Sequence, residues 1–338
     1  MNYKYNIVFI CALIISVISC SPDEEDTTVS VPENDRTEQQ VIDNDALVVY
    51  LNTHFYNSTE VIALANPTMA DVVITELLEG ETLPTDATLL MTAVETKTTT
   101  YLDVEYEYYI LRINQGGGSN RPNFSDNVRV SYSGNLLNEE IFDSSVIPKV
   151  FDLVNPDIIP GWRKVFPEFN VASSFTSNSG LVTFENYGMG VMFLPSGLGF
   201  YAAFQTSIPS YSNLVFKFEL YQSQVNDHDL DGVPSYFEDI DNDGEVFNDD
   251  TDTNLFSNFI DQDDDGDGVL TLNELEPTEY IINTNLGEIE PLLAPKEFEI
   301  SNSEDLGIIT IKTVKIVDSN NDGLDDYLDE NITINYNE

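Results

Sequence analysis

Cysteine is almost absent from the 338 residues, since Cys11 and Cys20 are the only two. Cys11 lies in an N-terminal apolar stretch that we expect to be removed as a signal peptide (residues 1–19), so only Cys20 remains in the mature chain. A single cysteine forms no disulfide within its own chain. Disulfides are therefore excluded as the source of rigidity, even in an oxidising compartment.

Basic residues are also scarce, with 13 lysines and arginines against 60 aspartates and glutamates, and the formal net charge is −47. Such a surface repels nucleic acid and attracts cations, so no nucleic-acid partner is expected. A hydrophobic fraction of 41% and an aromatic fraction of 11% exclude a wholly disordered chain. Charge alone fits an ordinary acidic secreted surface, but here the acids are clustered.

The N-terminus has no apolar run long enough to cross a bilayer, because the run from Ile7 to Ile18 is too short. The run follows Lys4 and ends in SVISC (residues 16–20), which resembles a bacterial lipobox and implies lipid attachment to Cys20. An ordinary signal peptide with a chance cysteine is the alternative.

An acidic tether follows Cys20 and begins with SPDEED (residues 21–26). It resembles the signal that sends some Gram-negative lipoproteins to the outer face of the outer membrane. We therefore expect an envelope lipoprotein of the outer membrane, either periplasmic or surface-exposed, that contacts the membrane through its lipid anchor.

Composition and periodicity divide the chain further. Apolar residues at helical spacing predict a helix over Val41–Phe55, and alternation predicts strands over Tyr101–Ile113 and Gly307–Val317. The predicted segments are a signal peptide (1–19), a lipidated tether (20–40), an N-terminal helical or mixed region (41–100), a mostly β domain (101–225), an aspartate-rich segment (226–276) and a C-terminal β region (277–338).

Five motifs in the central domain occur in an order typical of one family. They are VRVSYSG (128–134), EIFDSS (140–145), IIPGW (158–162), FLPSGLGF (193–200) and NLVFKFEL (213–220). Together they resemble the FKBP-type peptidyl-prolyl cis-trans isomerases. The fold class that this resemblance implies is α+β and mostly β, with a twisted antiparallel sheet wrapped on a short helix, followed here by an irregular calcium-loop segment.

The resemblance also implies a proline-binding pocket that needs no cofactor. Trp162 would lie under the proline ring, the backbone N–H of Ile159 would bind a substrate carbonyl, and Asp143 would hold a polar partner at the rim. Taken singly, each aromatic residue is better explained as core, except Trp162, the only tryptophan, whose place in Pro-Gly-Trp favours the pocket. The implied pocket residues are Tyr132, Phe142, Asp143, Phe151, Ile158, Ile159, Trp162, Phe200, Ile208 and Phe216.

Two positions depart from the family pattern. Phe200 stands where a tyrosine is usual, and Lys149 falls near the place of another pocket aromatic. The retained residues favour an isomerase that assists the folding of exported proteins, with proline-containing polypeptides as clients. The departures favour the alternative, a non-catalytic lipoprotein scaffold that binds proline peptides and is stiffened by calcium.

The aspartate-rich segment contains repeats with calcium-ligand spacing. Residues 227–238 and 263–274 both fit the twelve-position EF-hand loop, in which aspartates at positions 1, 3 and 5 and glutamate at position 12 supply hard oxygens and glycine at position 6 permits the turn. Residues 239–250 are a third, weaker copy, and residues 318–329 are a fourth copy near the C-terminus. A solvated acidic linker is the alternative reading of such a charge run.

We expect Ca²⁺ as a structural ion, because a segment this acidic does not collapse without cations. The flanks lack long EF-hand helices, so the repeats look more like thrombospondin type 3 or dockerin repeats. The expected ligands are Asp227, Asp229, Asp231, Val233, Glu238, Asp239, Asp241, Asp243, Asp263, Asp265, Asp267, Val269, Glu274, Asp318, Asn320, Asp322 and Asp329.

Overall fold

The computed structural model describes residues 33–337, and every strand pairing within the sheets of that range is antiparallel. The expectation of a mostly β, α+β chain is therefore confirmed. Cys20, the signal peptide and most of the tether lie outside the described residues.

The helices in the described range are short except for the first. That helix covers most of the Val41–Phe55 stretch and begins earlier, because Asp35 caps it by accepting a hydrogen bond from the backbone N–H of Glu38. The α-helices are α1 (Arg36–Thr53), α2 (Ser58–Ile62), α3 (Leu90–Ala93), α4 (Pro160–Val165) and α5 (Thr271–Glu274).

The strands include the two expected from alternation, at β5 and β14. In chain order they are β1 (His54–Tyr56), β2 (Ile74–Glu76), β3 (Thr88–Leu89), β4 (Glu95–Tyr101), β5 (Val104–Asn114), β6 (Asn127–Leu136), β7 (Ile141–Asp152), β8 (Ser174–Asn178), β9 (Leu181–Glu185), β10 (Gly188–Leu194), β11 (Leu214–Gln224), β12 (Glu276–Asn283), β13 (Glu297–Asp305) and β14 (Ile308–Lys315).

A six-stranded sheet with the order β4-β5-β10-β11-β6-β7 forms the centre of the described chain. Successive side chains of a strand point to opposite faces, so β5, β10 and β11 each supply two cores. On β11, for example, Phe216 and Phe218 pack with α4, whereas Val215 packs with the opposite core. Both faces of the sheet are therefore covered.

Helix α1 covers the face opposite α4. Its Leu47, Tyr50 and Leu51 pack with the odd-numbered residues of β5, β10 and β11. The carboxylate of Asp43, which is 2% exposed, accepts hydrogen bonds from the backbone N–H and the hydroxyl of Ser196, just beyond β10. Residues before Tyr101 thus complete the core of the central domain.

The aspartate-rich segment packs onto a second sheet, of order β12-β14-β13. Val233 from the segment, Val314 from β14 and Tyr327 near the C-terminus share one small core. A further contact joins the segment to the central domain, since Glu245 forms ion pairs with Arg163 and Lys164 of α4 at 3.1 and 3.4 Å.

Candidate functional site

All ten predicted pocket residues line one cavity of about 420 Å³. Strands β6, β7 and β11 supply its walls, and α4 with the residue before it supplies its floor. Four further residues line the cavity that sequence reasoning did not single out, because they lie in loops without a motif: Asp157, Gln205, Thr206 and Ser207.

Trp162 occupies the floor because α4 begins immediately before it. Pro160 starts the helix and fixes the backbone for the first turn, and Ile159 stays extended as the capping residue. The indole is 4% exposed and meets the rings of Tyr132, Phe151 and Phe216 edge to face, with centroids 5.2, 5.2 and 5.5 Å away. The floor is thus a rigid aromatic surface.

A glycine on β6 lets two of the wall aromatics close on each other. A Cβ at Gly134 would lie 2.6 Å from ring atoms of both Phe142 and Phe216, well inside van der Waals contact. The two rings instead pack edge to face with centroids 5.4 Å apart. Gly134, the last residue of the VRVSYSG motif, is therefore required for the close packing of these two wall aromatics.

The rim carries one carboxylate in a defined orientation. The hydroxyl of Tyr132 donates to Oδ2 of Asp143 at 2.6 Å, between β6 and β7. Burial and the neighbouring carboxylate both raise the pKa of Tyr132, so the phenol stays protonated and keeps donating. Asp143 is thereby held at the mouth of a cavity whose walls and floor are mainly aromatic and aliphatic.

Two donors in the floor have no partner. The backbone N–H of Ile159 finds no acceptor among residues 33–337, and neither does the buried Nε1 of Trp162. An unpaired buried donor costs free energy, on the order of 1–3 kcal/mol, unless a ligand accepts from it. The floor can therefore bind a carbonyl oxygen.

The two departures from the family pattern have a structural setting. Phe200 lines the cavity, whereas the neighbouring Tyr201 has a φ of 50° and meets the ring of Tyr211 edge to face with centroids 5.0 Å apart. Tyr201 therefore does not replace the missing hydroxyl. Lys149 is exposed on β7, with its Nζ 5.9 Å from the centroid of the Tyr132 ring.

A larger cavity of about 1170 Å³ adjoins the first and shares Ile158, Ile159 and Phe200 with it. Its far side is lined by Glu245 and Phe247, which belong to the aspartate-rich segment. The pocket thus adjoins a groove that the acidic segment helps to build.

Four stretches of that segment and one stretch near the C-terminus share one backbone signature: 227–238, 239–250, 250–261, 263–274 and 318–329. In each, the fourth residue has φ between 58° and 69° and the sixth between 79° and 100°. These left-handed positions favour glycine, which explains its place at position 6 in four of the five. We refer to each stretch as a loop, by its residue range.

Sequence reasoning missed loop 250–261, because Asn254 and Leu255 stand where the other loops have aspartate and glycine. Leu255 adopts a φ of 81°. The backbone N–H of Asn258 bonds to the carbonyl of Asp249 at 2.8 Å, as the ninth residue does in loops 227–238, 263–274 and 318–329. Only the shared backbone reveals this loop.

Loops 227–238 and 263–274 bring their predicted carboxylates together. Asp227, Asp229 and Asp231 form one close group, and so do Asp263, Asp265 and Asp267. Backbone N–H groups of Val233 and Val269 donate to Asp231 and Asp267 respectively, which orients these carboxylates.

The two glutamates at position 12 are buried without partners. Glu238 is 0% exposed and Glu274 is 1% exposed, and neither oxygen of either carboxylate accepts a hydrogen bond among the described residues. Burial, followed by the loop's own aspartates, raises the pKa of Glu274 to about 9. Hard carboxylate oxygens that are buried and unpartnered fit the ligand preference of Ca²⁺.

Loops 239–250 and 318–329 differ from their predicted ligand sets. In loop 239–250 the close group is Asp239, Asp241 and Asp249, whereas Asp243 accepts from the backbone N–H of Glu245 at 2.8 Å and lies outside that group. In loop 318–329 the amide of Asn320 donates to both Asp322 and Asp329 at 3.1 Å. That loop closes on its own hydrogen bonds.

Comparison with known proteins gives partial matches. A family model described as BamM C-terminal matches residues 228–288. A crystal structure of a peptidyl-prolyl cis-trans isomerase from Pseudomonas syringae pv. tomato matches with 23% identity and a TM-score of 0.28, over 35% of this chain and 75% of that one. The crystal structure of FkpA from Escherichia coli matches with 25% identity and a TM-score of 0.30, over 39% of this chain and 52% of that one.

The chain therefore spans about half the length of FkpA. No curated protein matches the sequence significantly. Among the described residues, no helix combines the length and the apolar composition that a membrane span requires. The structural neighbours include a peptidyl-prolyl isomerase at low similarity, so the function proposed below depends on the pocket itself.

Proposed function

We propose that the central domain is an FKBP-like peptidyl-prolyl isomerase that assists the folding of exported proteins. One observation carries the proposal: eight residues from five separate motifs, together with Phe151 and Ile208, surround a single aromatic cavity with one oriented carboxylate and an unpaired backbone donor. Proline-containing segments of polypeptides are the substrate class that this cavity suits.

The chemistry is rotation about the X-Pro bond, against a barrier of about 20 kcal/mol that comes from amide resonance. The twisted amide is less polar along C–N than the planar amide, so an apolar pocket over Trp162 favours it. The N–H of Ile159 would hold the carbonyl of the residue before proline. The Asp143 carboxylate, oriented by Tyr132, would hold a polar group of the flanking chain. No covalent bond forms or breaks.

The alternative is a module that binds proline segments without turnover. Phe200 and Lys149 favour it, because the first lacks the ligand-bonding hydroxyl of the family and the second places a charge beside the aromatic wall. Both candidates predict binding of proline peptides, and only the first predicts a faster cis-to-trans conversion.

A protease-coupled assay with a prolyl tetrapeptide separates them. We expect the chain to accelerate isomerisation above the uncatalysed rate, and Asp143→Ala to lower kcat/KM by about tenfold, or 1.4 kcal/mol, because the rim loses its oriented carboxylate. Phe175→Ala, at an exposed ring on the β8–β9 hairpin, is the control and should leave the rate unchanged. Peptide binding together with the uncatalysed rate would establish the alternative.

We further propose that the loops bind Ca²⁺ as a structural ion. The supporting observation is the set of buried carboxylate oxygens without partners in loops 227–238 and 263–274. Each loop would use its aspartates, its position-12 glutamate and the carbonyl of Val233 or Val269. The ions would offset the mutual repulsion of these groups and stabilise the folded segment.

We also propose that Cys20 carries a lipid that anchors the chain at the outer membrane. The lipobox-like SVISC stretch supports the anchor, and the match of residues 228–288 to the BamM C-terminal family supports an outer-membrane-associated role. Labelled palmitate should be incorporated by the wild type in a Gram-negative host and not by Cys20→Ser. Equal labelling of both would refute the anchor.

A further inference from the structure

Three carboxylates from two different loops meet in the interior. One ligand oxygen from each of Asp231, Glu238 and Asp264 lies within 4.8 Å of the others. The side chains are 2%, 0% and 1% exposed. Asp231 and Glu238 belong to loop 227–238, whereas Asp264 is the second residue of loop 263–274 and lies outside that loop's own close group.

Most oxygens of this cluster lack a partner. Both oxygens of Glu238, Oδ2 of Asp231 and Oδ1 of Asp264 accept no hydrogen bond among the described residues. The remaining oxygens are held in place, Oδ1 of Asp231 by the N–H of Val233 and Oδ2 of Asp264 by the hydroxyl of Thr271. Within residues 33–337 none of the three forms a salt bridge.

Solvent does not stabilise the charges of these three carboxylates, because the residues around them are buried as well. Val233 is fully buried, and Leu275 and Tyr327 are each 1% exposed in the core that the loops share with β14. Several negative charges in such a place are strongly unfavourable unless a cation neutralises them. The other loops carry His228, Ile240, Thr251 and Ser319 at the position of Asp264, so an acid there is peculiar to this loop.

We propose that Asp231, Glu238 and Asp264 hold one hard divalent cation between the two loops, with Asp264 as the ligand that loop 263–274 contributes to loop 227–238. This inference rests on the proposed calcium role. It goes beyond that role because one ion would be shared by two loops. Loop 227–238 would then need Asp264 of loop 263–274 to complete its ligand set.

The first test counts ions by calorimetric Ca²⁺ titration of the chain. Asp264→Asn should weaken one class of sites by at least tenfold, and Glu238→Gln should weaken the same class. In the Glu238→Gln variant, Asp264→Asn should cause no further loss of Ca²⁺ affinity, because the shared site is already weakened. In the Glu274→Gln variant, in which loop 263–274 has lost its position-12 ligand, Asp264→Asn should still weaken the site of loop 227–238. The reverse pattern would assign Asp264 to its own loop and overturn the proposal.

The second test asks whether the effect of Asp264→Asn on Tm changes sign when Ca²⁺ is removed. An aspartate that only supports the fold would not produce such a change of sign. With saturating Ca²⁺, Asp264→Asn should lower Tm because the ion loses a ligand. With chelator it should raise Tm, because a buried charge is removed. Asp305→Asn, at an exposed acid on β13, is the charge-matched control and should show neither effect.

If Asp264→Asn fails to fold, Glu238→Gln carries the same two expectations. A decrease in Tm under both conditions, or no change in calcium binding, would overturn the shared site while leaving the loop sites in place. A wild-type chain that binds no calcium would overturn the calcium role and this inference together.

Discussion

Chelation of calcium is expected to unfold residues 227–274 while the six-stranded sheet remains folded. The segment buries Asp231, Glu238 and Glu274 at 2% exposure or less, and its own hydrogen bonds leave most of their oxygens unpartnered. An uncompensated buried charge costs several kcal/mol, which exceeds what the few apolar side chains of the segment return. The central sheet has two apolar cores of its own and does not depend on these ions.

Hydrogen exchange measured with and without chelator tests this directly. Protection should be lost in residues 227–274 and retained in β10 and β11, and the hydrodynamic radius should increase. Restoring Ca²⁺ should reverse both changes, which separates metal removal from damage by the chelator. Unchanged protection of the loops after complete calcium removal would contradict a structural ion.

Acid should partly replace the metal in the calcium-free chain. Burial raises the pKa of Asp231 to about 8 and that of Glu274 to about 9, above their values in an unfolded chain. A raised folded-state pKa gives stability that is present at low pH and lost as the pH rises through that pKa. The chelated loops should therefore be more stable near pH 5 than near pH 9, whereas the calcium-loaded loops should follow the opposite trend because protons compete with the metal.

Chelation should also slow the proposed isomerase. Glu245 of loop 239–250 holds Arg163 and Lys164, which follow Trp162 in α4. When the loop unfolds, α4 loses this support and the groove beside the pocket loses one wall. A several-fold decrease in kcat/KM is expected on chelation, with tryptophan fluorescence as a simultaneous report on the floor.

Replacement of the pocket floor by Trp162→Ala should have the largest effect on turnover. The indole contacts Tyr132, Phe151, Phe166 and Phe216 with centroids 5.2 to 5.5 Å away, so its removal opens the cavity and admits water beneath the proline ring. Water restores the advantage of the planar amide. We expect kcat/KM to fall by more than about tenfold, and unfolding free energy to fall by about 3–5 kcal/mol.

Stability and catalysis have to be separated in that experiment. Phe169→Leu is the matched control, because Phe169 is fully buried in the same core and does not line the cavity. It should lower Tm and leave kcat/KM largely intact, whereas Trp162→Phe should retain part of both. If Phe169→Leu and Trp162→Ala reduce turnover equally, the floor has no special role.

Much of the pocket was predictable because its residues belong to local patterns. The motifs on β6, β7 and β11 and around the start of α4 carry the family resemblance, and that resemblance implied most of the residues that line the cavity. The ligand spacing of loops 227–238 and 263–274 is equally local, since twelve consecutive residues define it. Such patterns operate over short distances along the chain, so one sequence is enough to identify them.

The remaining features arise from contacts between distant residues, and only the tertiary structure decided them. It decided that α1 covers the second face of the sheet, with Asp43 bonded to Ser196, more than 150 residues away. It likewise decided that Glu245 supports α4, that loop 250–261 repeats the others despite its altered residues, and that Asp264 joins Asp231 and Glu238. The sequence by itself determined the mostly β character, strands β5 and β14, the aromatic motifs and the ligand spacing. Which of these groups meet depends on how the sheet and loops pack, because burial and electrostatics act through space rather than along the chain.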